Sequence, residues 1–197
     1  MAQYICILDF EATCWDGSDN HEIIEFPSVM LKWEGQQVTE VGRIQNYVKP
    51  RTNPTVSAYC QNLTGISQET VDRGIDLKDA IKAHSQWMLG FAPHEQITIV
   101  TCGNWDLKTM LPMDMKNIKM KPEHVYTKWV NIKDLFKHIT LTKPKPLQGM
   151  LNHYKLDFEG SPHSGIDDSH NIARIFMELV KNGLTKKIFM SYISSNK

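Results

Sequence analysis

The chain has 197 residues, 41% of them hydrophobic, which suits one domain with a complete core and is too short for two large ones. Lysine plus arginine and aspartate plus glutamate both number 22, so no global basic field exists, and a nucleic-acid partner needs local contacts or bound metal. The four cysteines, Cys6, Cys14, Cys60 and Cys102, lack C-x-x-C spacing and the density of a disulfide scaffold, and they read as intracellular thiols.

In chain order, MAQYICILDF lacks the basic start of a signal peptide and already holds Asp9. No apolar run approaches the roughly 18 residues of a membrane span, so an intracellular protein of the cytoplasm or nucleus, with no membrane partner, is expected. Tyr4 to Phe10 is Ile-rich and reads as a buried strand. EIIEFPSVMLKW (22–33) and VTEVGRIQNYV (38–48) flank the turn-like EGQQ, which predicts a hairpin beside the first strand and so three antiparallel strands. After Pro50 and Pro54, SAYCQNLTGISQETVDRG reads as two short helices around Gly65.

DLKDAIKAHSQWML (76–89) has Leu77, Ala80, Ile81, His84 and Met88 at helical spacing, with Asp76 placed to cap. QITIVTC (96–102) has the β-branched density of a buried strand, and WDLKTMLPM beyond it predicts a short helix. Chemistry just past a strand's carboxyl end is where open α/β sheets bind ligands. The Lys-rich stretch 113–146 is mixed, with NIKDLFKHI its clearest helical piece and MKNIKMKPEH a solvated face by default. LQGMLNHYKL predicts another helix, and GIDDSHNIARIFMELVKNG a strong one, with a stripe of Ile166, Ile172, Ile175 and Leu179 and a stop at Asn182-Gly183. One domain spanning 1–197 follows, with a core over about 4–182 and a frayed tail over 191–197.

Asp9 and Glu11 sit one residue apart at the end of the first strand, where period-two geometry aims both carboxylates at one spot. Asp106 follows a second strand, and HSGIDD places His163 five residues before Asp168 near a helix start. Four carboxylates with few soft ligands suit Mg²⁺ or Mn²⁺ better than zinc. Two such ions about 3.5–4 Å apart can stabilise both the attacking and leaving oxygens of a phosphoryl displacement. An imidazole, with its unperturbed pKa near 6.5, can take a proton from the attacking water, so His163 is the candidate general base, carried on a mobile SGID loop hinged at Gly165.

LDFEATC, CGNWDLKTML and PHSGIDDSHNIARI, in that order and spacing, resemble the three exonuclease motifs of the DEDDh superfamily, specifically its Eri-type 3′→5′ exoribonucleases. EIIEFPSV and CQNLTGISQ also match, and the resemblance covers roughly Tyr4 to Leu179. It implies an α/β, RNase H-like fold with a mixed five-stranded sheet flanked by helices, two Mg²⁺ ions for which Mn²⁺ substitutes, and release of nucleoside 5′-monophosphates from a free 3′ end. It assigns Asp9, Glu11, Asp106 and Asp168 as metal ligands and His163 as the base, and leaves Asp167 a supporting role at the helix N-terminus. It implies that Phe10, Ala12 and Thr13 line the terminal nucleotide and that Leu63 wedges near the last base. Trp105, beside Asp106, reads equally as a stacking platform and as a core residue, whereas Trp15, Trp33, Trp87 and Trp129 read as packing. The implied partner is single-stranded nucleic acid, RNA over DNA. Within these 197 residues no added nucleic-acid-binding module of the larger relatives is expected, so targeting by protein partners or looser substrate choice is expected in its place.

Taken singly, each residue has an ordinary explanation: a surface Asp-x-Glu pair, a helix-start acid, a loop histidine, a helix cap. The conjunction of type, order and spacing is what argues for a site. Two rivals stand beside it. DFEAT is one residue from the D-x-D-x-T signature of haloacid-dehalogenase-type phosphatases, with Glu11 at the departure, and a catalytically silent module that only grips nucleic acid would share the fold.

Overall fold

The computed structural model describes residues 2–14, 21–143 and 145–195. Trp15 and the last two residues of the expected tail lie outside them. The first half of the chain forms β1 (Gln3–Leu8), β2 (Glu11–Ala12), β3 (Ile23–Glu34), β4 (Gln37–Tyr47), α1 (Ala58–Thr64), α2 (Gln68–Asp72), α3 (Leu77–Leu89) and β5 (Ile97–Thr101). A wide π-turn at Asp106–Met110 then leads into α4 (Leu111–Asn117), followed by β6 (Lys128–Asn131), α5 (Ile132–Thr140), α6 (Leu147–His153), α7 (Gly165–Lys181), α8 (Lys186–Met190) and β7 (Ser194–Ser195).

β1 is apolar on both faces because the sheet is covered on both sides. Ile5 and Ile7 point toward α5, α6 and α7 with Val29, Leu31, Val100 and Val130; Cys6 and Leu8 point toward α3 and α4 with Phe26, Met30 and Ile99. β1 and β3 pair antiparallel, as do β3 and β4, while β1 with β5 and β5 with β6 are parallel. The five longer strands thus form the expected mixed sheet, and the two-residue β2 and β7 extend it to seven. β3 and β4 turn at Gly35, whose φ of +59° lies in the left-handed region that glycine adopts at least cost.

Both helices around Gly65 form: Ser57 and Ser67 accept N–H bonds from Cys60 and Thr70, and Gly65 closes the first in the left-handed conformation. Asp76 precedes α3 but makes no capping bond with its side chain. His84 and Met88 are fully buried, as their spacing predicts, and so are Trp33 and Trp129. Ile172, Ile175 and Leu179 carry the buried stripe of α7, while Ile166 is half-buried at its start.

Two expectations need correction. TKWVN was not signalled as a strand, because it is short and polar at both ends, yet its centre forms β6. The tail is not simply frayed: Tyr192 hydrogen-bonds His138, and Ser194 and Ser195 pair with Trp129 and Lys128. Among the described residues no helix is long and apolar enough to cross a membrane.

Candidate active site

β1 ends at Leu8, opposite Ser28, and β2 resumes with Glu11 opposite Glu25 in the same register. The chain therefore stays extended through Asp9 and Phe10, and residues 5, 7, 9 and 11 share one face. That face is the one covered by α7, whose first turn brings Asp168 over the strand end. One carboxylate oxygen each from Asp9, Glu11 and Asp168 lies within 4.8 Å of the others. Asp106 sits beside them, buried, its Oδ1 accepting the Phe10 N–H at 3.1 Å. Its turn is widened because Leu111 N–H reaches back to the Asp106 carbonyl, just before Pro112, which has no N–H to offer the ladder.

Burial and mutual repulsion both oppose ionisation here. Asp9 is driven well above the usual carboxylate range by desolvation and by the charges of Asp106, Asp168 and Glu11. Glu11 rises to about 9 from desolvation and then from Glu25 and the other acids. Asp106 and Asp168 each rise to about 6, chiefly by desolvation. The half-buried thiol of Cys102 is pushed up to about 12, by desolvation first and then by Asp9. The Lys133 ammonium pulls against these shifts at Asp9 and Asp106. Hard oxygen donors converging with unmet negative charge fit a divalent cation. Asp9, Glu11, Asp106 and Asp168 are the residues that would hold it.

Glu25 and Gly165 explain why α7 starts where it does. Glu25 accepts N–H bonds from Gly165 at 3.0 Å and Ile166 at 3.1 Å, doing for this helix what a local cap does elsewhere, and Gln45 donates at 2.8 Å to the oxygen that also accepts from Ile166. A Cβ at Gly165 would lie 2.7 Å from the Asp9 carbonyl oxygen, so glycine is required for close approach of helix and strand. The expected hinge at Gly165 is thus a packed contact.

His163 is exposed, with φ +64°, and its backbone N–H donates to Asp168 at 3.2 Å. Its loop is fastened to α7. Buried Asn171 donates to the Glu159 and Asp167 carbonyls at 2.8 Å and accepts the Glu159 N–H at 3.1 Å. Asp167 accepts the Ser161 N–H at 2.9 Å, the supporting role expected of it, and a Cβ at Gly160 would collide with its carboxylate.

The other candidates divide. Trp105 is 43% exposed, edge-on to His21 at 6.0 Å, which places it on the surface and not in the core. Leu63 is half-buried on α1, and Ala12 is half-buried against the α3-side core. Phe10 and Thr13 depart from expectation. The Phe10 ring packs against Phe26 at 4.5 Å on the face opposite the carboxylates, and only its backbone serves the site. Thr13 is fully buried, its hydroxyl accepting the Glu22 N–H at 2.9 Å. Sequence reasoning missed Glu25, Asn171 and Lys133; the register of EIIEFP opposite FEA could have exposed the first.

Comparison with known proteins gives a consistent picture. The chain matches the Exonuclease family over residues 6–176. It is 36% identical to the 3′-5′ exoribonuclease 1 of Rattus norvegicus, over 94% of this chain and 55% of that one. It is 32% identical to the ERI1 exoribonuclease 2 of Xenopus laevis, over 96% of this chain and 30% of that one. The chain therefore spans 30% to 55% of the length of these relatives. Among solved structures it is similar to the nuclease domain of 3′hExo, a DEDDh family member bound to rAMP, with a TM-score of 0.86, 33% identity, and coverage of 99% of this chain and 96% of that one.

Proposed function

The chain belongs to the exonuclease family, in its Eri-type DEDDh branch, and from that membership we propose that it is a metal-dependent 3′→5′ exoribonuclease releasing nucleoside 5′-monophosphates from single-stranded RNA. The observation that carries this reading is the convergence of Asp9, Glu11 and Asp168 within 4.8 Å at the sheet's end. Mg²⁺, with Mn²⁺ as substitute, would supply Lewis-acid stabilisation of the phosphoryl charge. The chain's own residues supply the rest. Trp105 offers an exposed ring on which a base can stack regardless of sequence, and Leu63 offers a half-buried apolar side chain on α1. The His163 imidazole accepts the proton of the attacking water, and Asn171 and Asp167 fasten the loop that carries it to α7. Glu25 holds the start of α7, and with it Asp168, against the strand that carries Asp9 and Glu11.

RNA over DNA is supported by the relatives' names and by the rAMP bound to the similar nuclease domain. The dehalogenase-type alternative has no support in these comparisons. The test is a time course on 5′-labelled single-stranded RNA and DNA of one sequence, with Mg²⁺ and with chelator, for wild type and Asp9→Ala. A metal-dependent ladder shortening from the 3′ end, absent in the variant, is expected. Intact oligonucleotides in every lane would refute the reading.

A further inference from the structure

The net charge of zero conceals a segregation along the chain. Between Lys108 and Lys155 there are ten lysines against three acids, Asp114, Glu123 and Asp134, while the rest of the chain holds twelve basic residues and nineteen acids. The basic segment begins at the site, immediately after Asp106, and one of its lysines returns there. Lys133 lies in the first turn of α5, and a Cβ at Gly103, just past β5, would stand 3.9 Å from its ammonium. Lys137 is one turn further along α5, exposed, on the same side of the helix because residues four apart lie on one face. Ile132, Leu135 and Phe136 fill the other side, packed under the sheet. Among the described residues neither ammonium has an ion-pair partner. Successive turns of α5 carry the two cations, about 6 Å apart along the helix axis, and Lys133 is the one that acts on Asp9 and Asp106.

We propose that Lys133 and Lys137 form a phosphate track along α5 that binds the substrate strand on the 5′ side of the scissile linkage. This rests on the exonuclease reading of the acid cluster, and the chemistry of that reading gives the direction. Only the terminal nucleotide lies beyond the cut, so all of the strand leaving the site is 5′ of it. The acid cluster repels that strand's backbone, and a row of cations starting at its rim offsets the repulsion where the strand emerges. The contact is to phosphate, so it is indifferent to base sequence.

The test is equilibrium binding of a 5′-labelled single-stranded RNA, in chelator so that no turnover occurs, across a range of salt. Each phosphate contact contributes about 0.7 to the slope of log K against log salt for a single strand. The double variant Lys133→Ala, Lys137→Ala is expected to lower that slope by about 1.4, and the double Lys→Arg variant to restore it. The control Lys181→Ala, Lys187→Ala, at the far end of α7 and in α8, should keep the wild-type slope. A track variant whose slope equals wild type would overturn the proposal and leave the lysines as a face for some other partner, such as an acidic protein segment. If that variant still shortens RNA in Mg²⁺, the exonuclease reading survives the loss. Wild type that neither binds nor shortens RNA removes both.

Discussion

Two clusters of buried titratable groups lie back to back across the first strand, and they solve burial in opposite ways. On the α3 side, His84 is fully enclosed, with Nδ1 2.8 Å from the Tyr126 hydroxyl and Nε2 2.8 Å from that of Ser28. Its pKa falls to about 3, by desolvation first, so the ring is neutral and its hydrogen bonds are met within the protein. On the α7 side the acids have each other for neighbours, with the Lys133 ammonium acting in the opposite direction on Asp9. A satisfied buried network serves folding; an unsatisfied one of a single sign holds strain that only a ligand of the other sign relieves.

That contrast is sharpest under substitution. Asp9→Ala should reduce turnover by about a thousandfold or more, since the stabilisation at stake is several kcal/mol. In chelator the same variant should melt higher than wild type, because one buried carboxyl, desolvated and crowded by the other acids, is gone. A variant that loses turnover and melts lower would break the comparison. His84→Ala is the mirror image. Removing a buried ring and a hydrogen-bond partner of two buried hydroxyls should cost about 2–4 kcal/mol in urea unfolding, while Mg²⁺-dependent turnover per folded molecule is kept at temperatures where the variant is folded. Trp105→Ala belongs to the site and not to the core, given its exposure. It should weaken binding of a single strand by about 1–3 kcal/mol, seen in titrations with labelled RNA, and leave the melting temperature within a degree or two of wild type.

The acid cluster was legible in sequence because each carboxylate is tied to a local feature: Asp9 and Glu11 to a strand's period of two, Asp106 to the exit from β5, Asp168 to the first turn of a strongly periodic helix. The sheet's first three strands were legible for the same reason. What stayed hidden depends on register between distant segments. Glu25 caps a helix that begins 140 residues later. Lys133 approaches the acids because a four-residue strand with polar ends delivers it there, and neither its length nor its composition announced that strand. Phe10 and Thr13 were misplaced on one-residue scales. The strand's alternation turns Phe10 to the other face, and the register shift between Glu11 and Ala12 precedes Thr13, whose side chain ends buried against Glu22.

The smallest expected effect is the dependence of stability on pH, because the two clusters oppose each other there. Asp106 and Asp168, at about 6 in the folded chain against 3.8 for the free group, bind more protons folded than unfolded across that interval. Stability from these groups is therefore lost as pH rises from about 4 to 6. His84, at about 3 against 6.5, binds fewer protons folded than unfolded, so its contribution grows across about pH 3 to 6.5 and is complete above. In chelator the single rising contribution of His84 offsets only part of the fall from the more numerous raised acids, so the melting temperature of the wild type should fall gently between pH 4 and 6. His84→Gln removes the rising component and should leave a profile that falls more steeply with pH over the same interval. Mg²⁺ at saturating concentration binds the ionised acids and stabilises the folded state by mass action, so it should reverse that fall. A His84→Gln profile that rises from pH 4 to 6 in chelator would mean that the acids are not held protonated by their surroundings, and the opposition between the two clusters would fail.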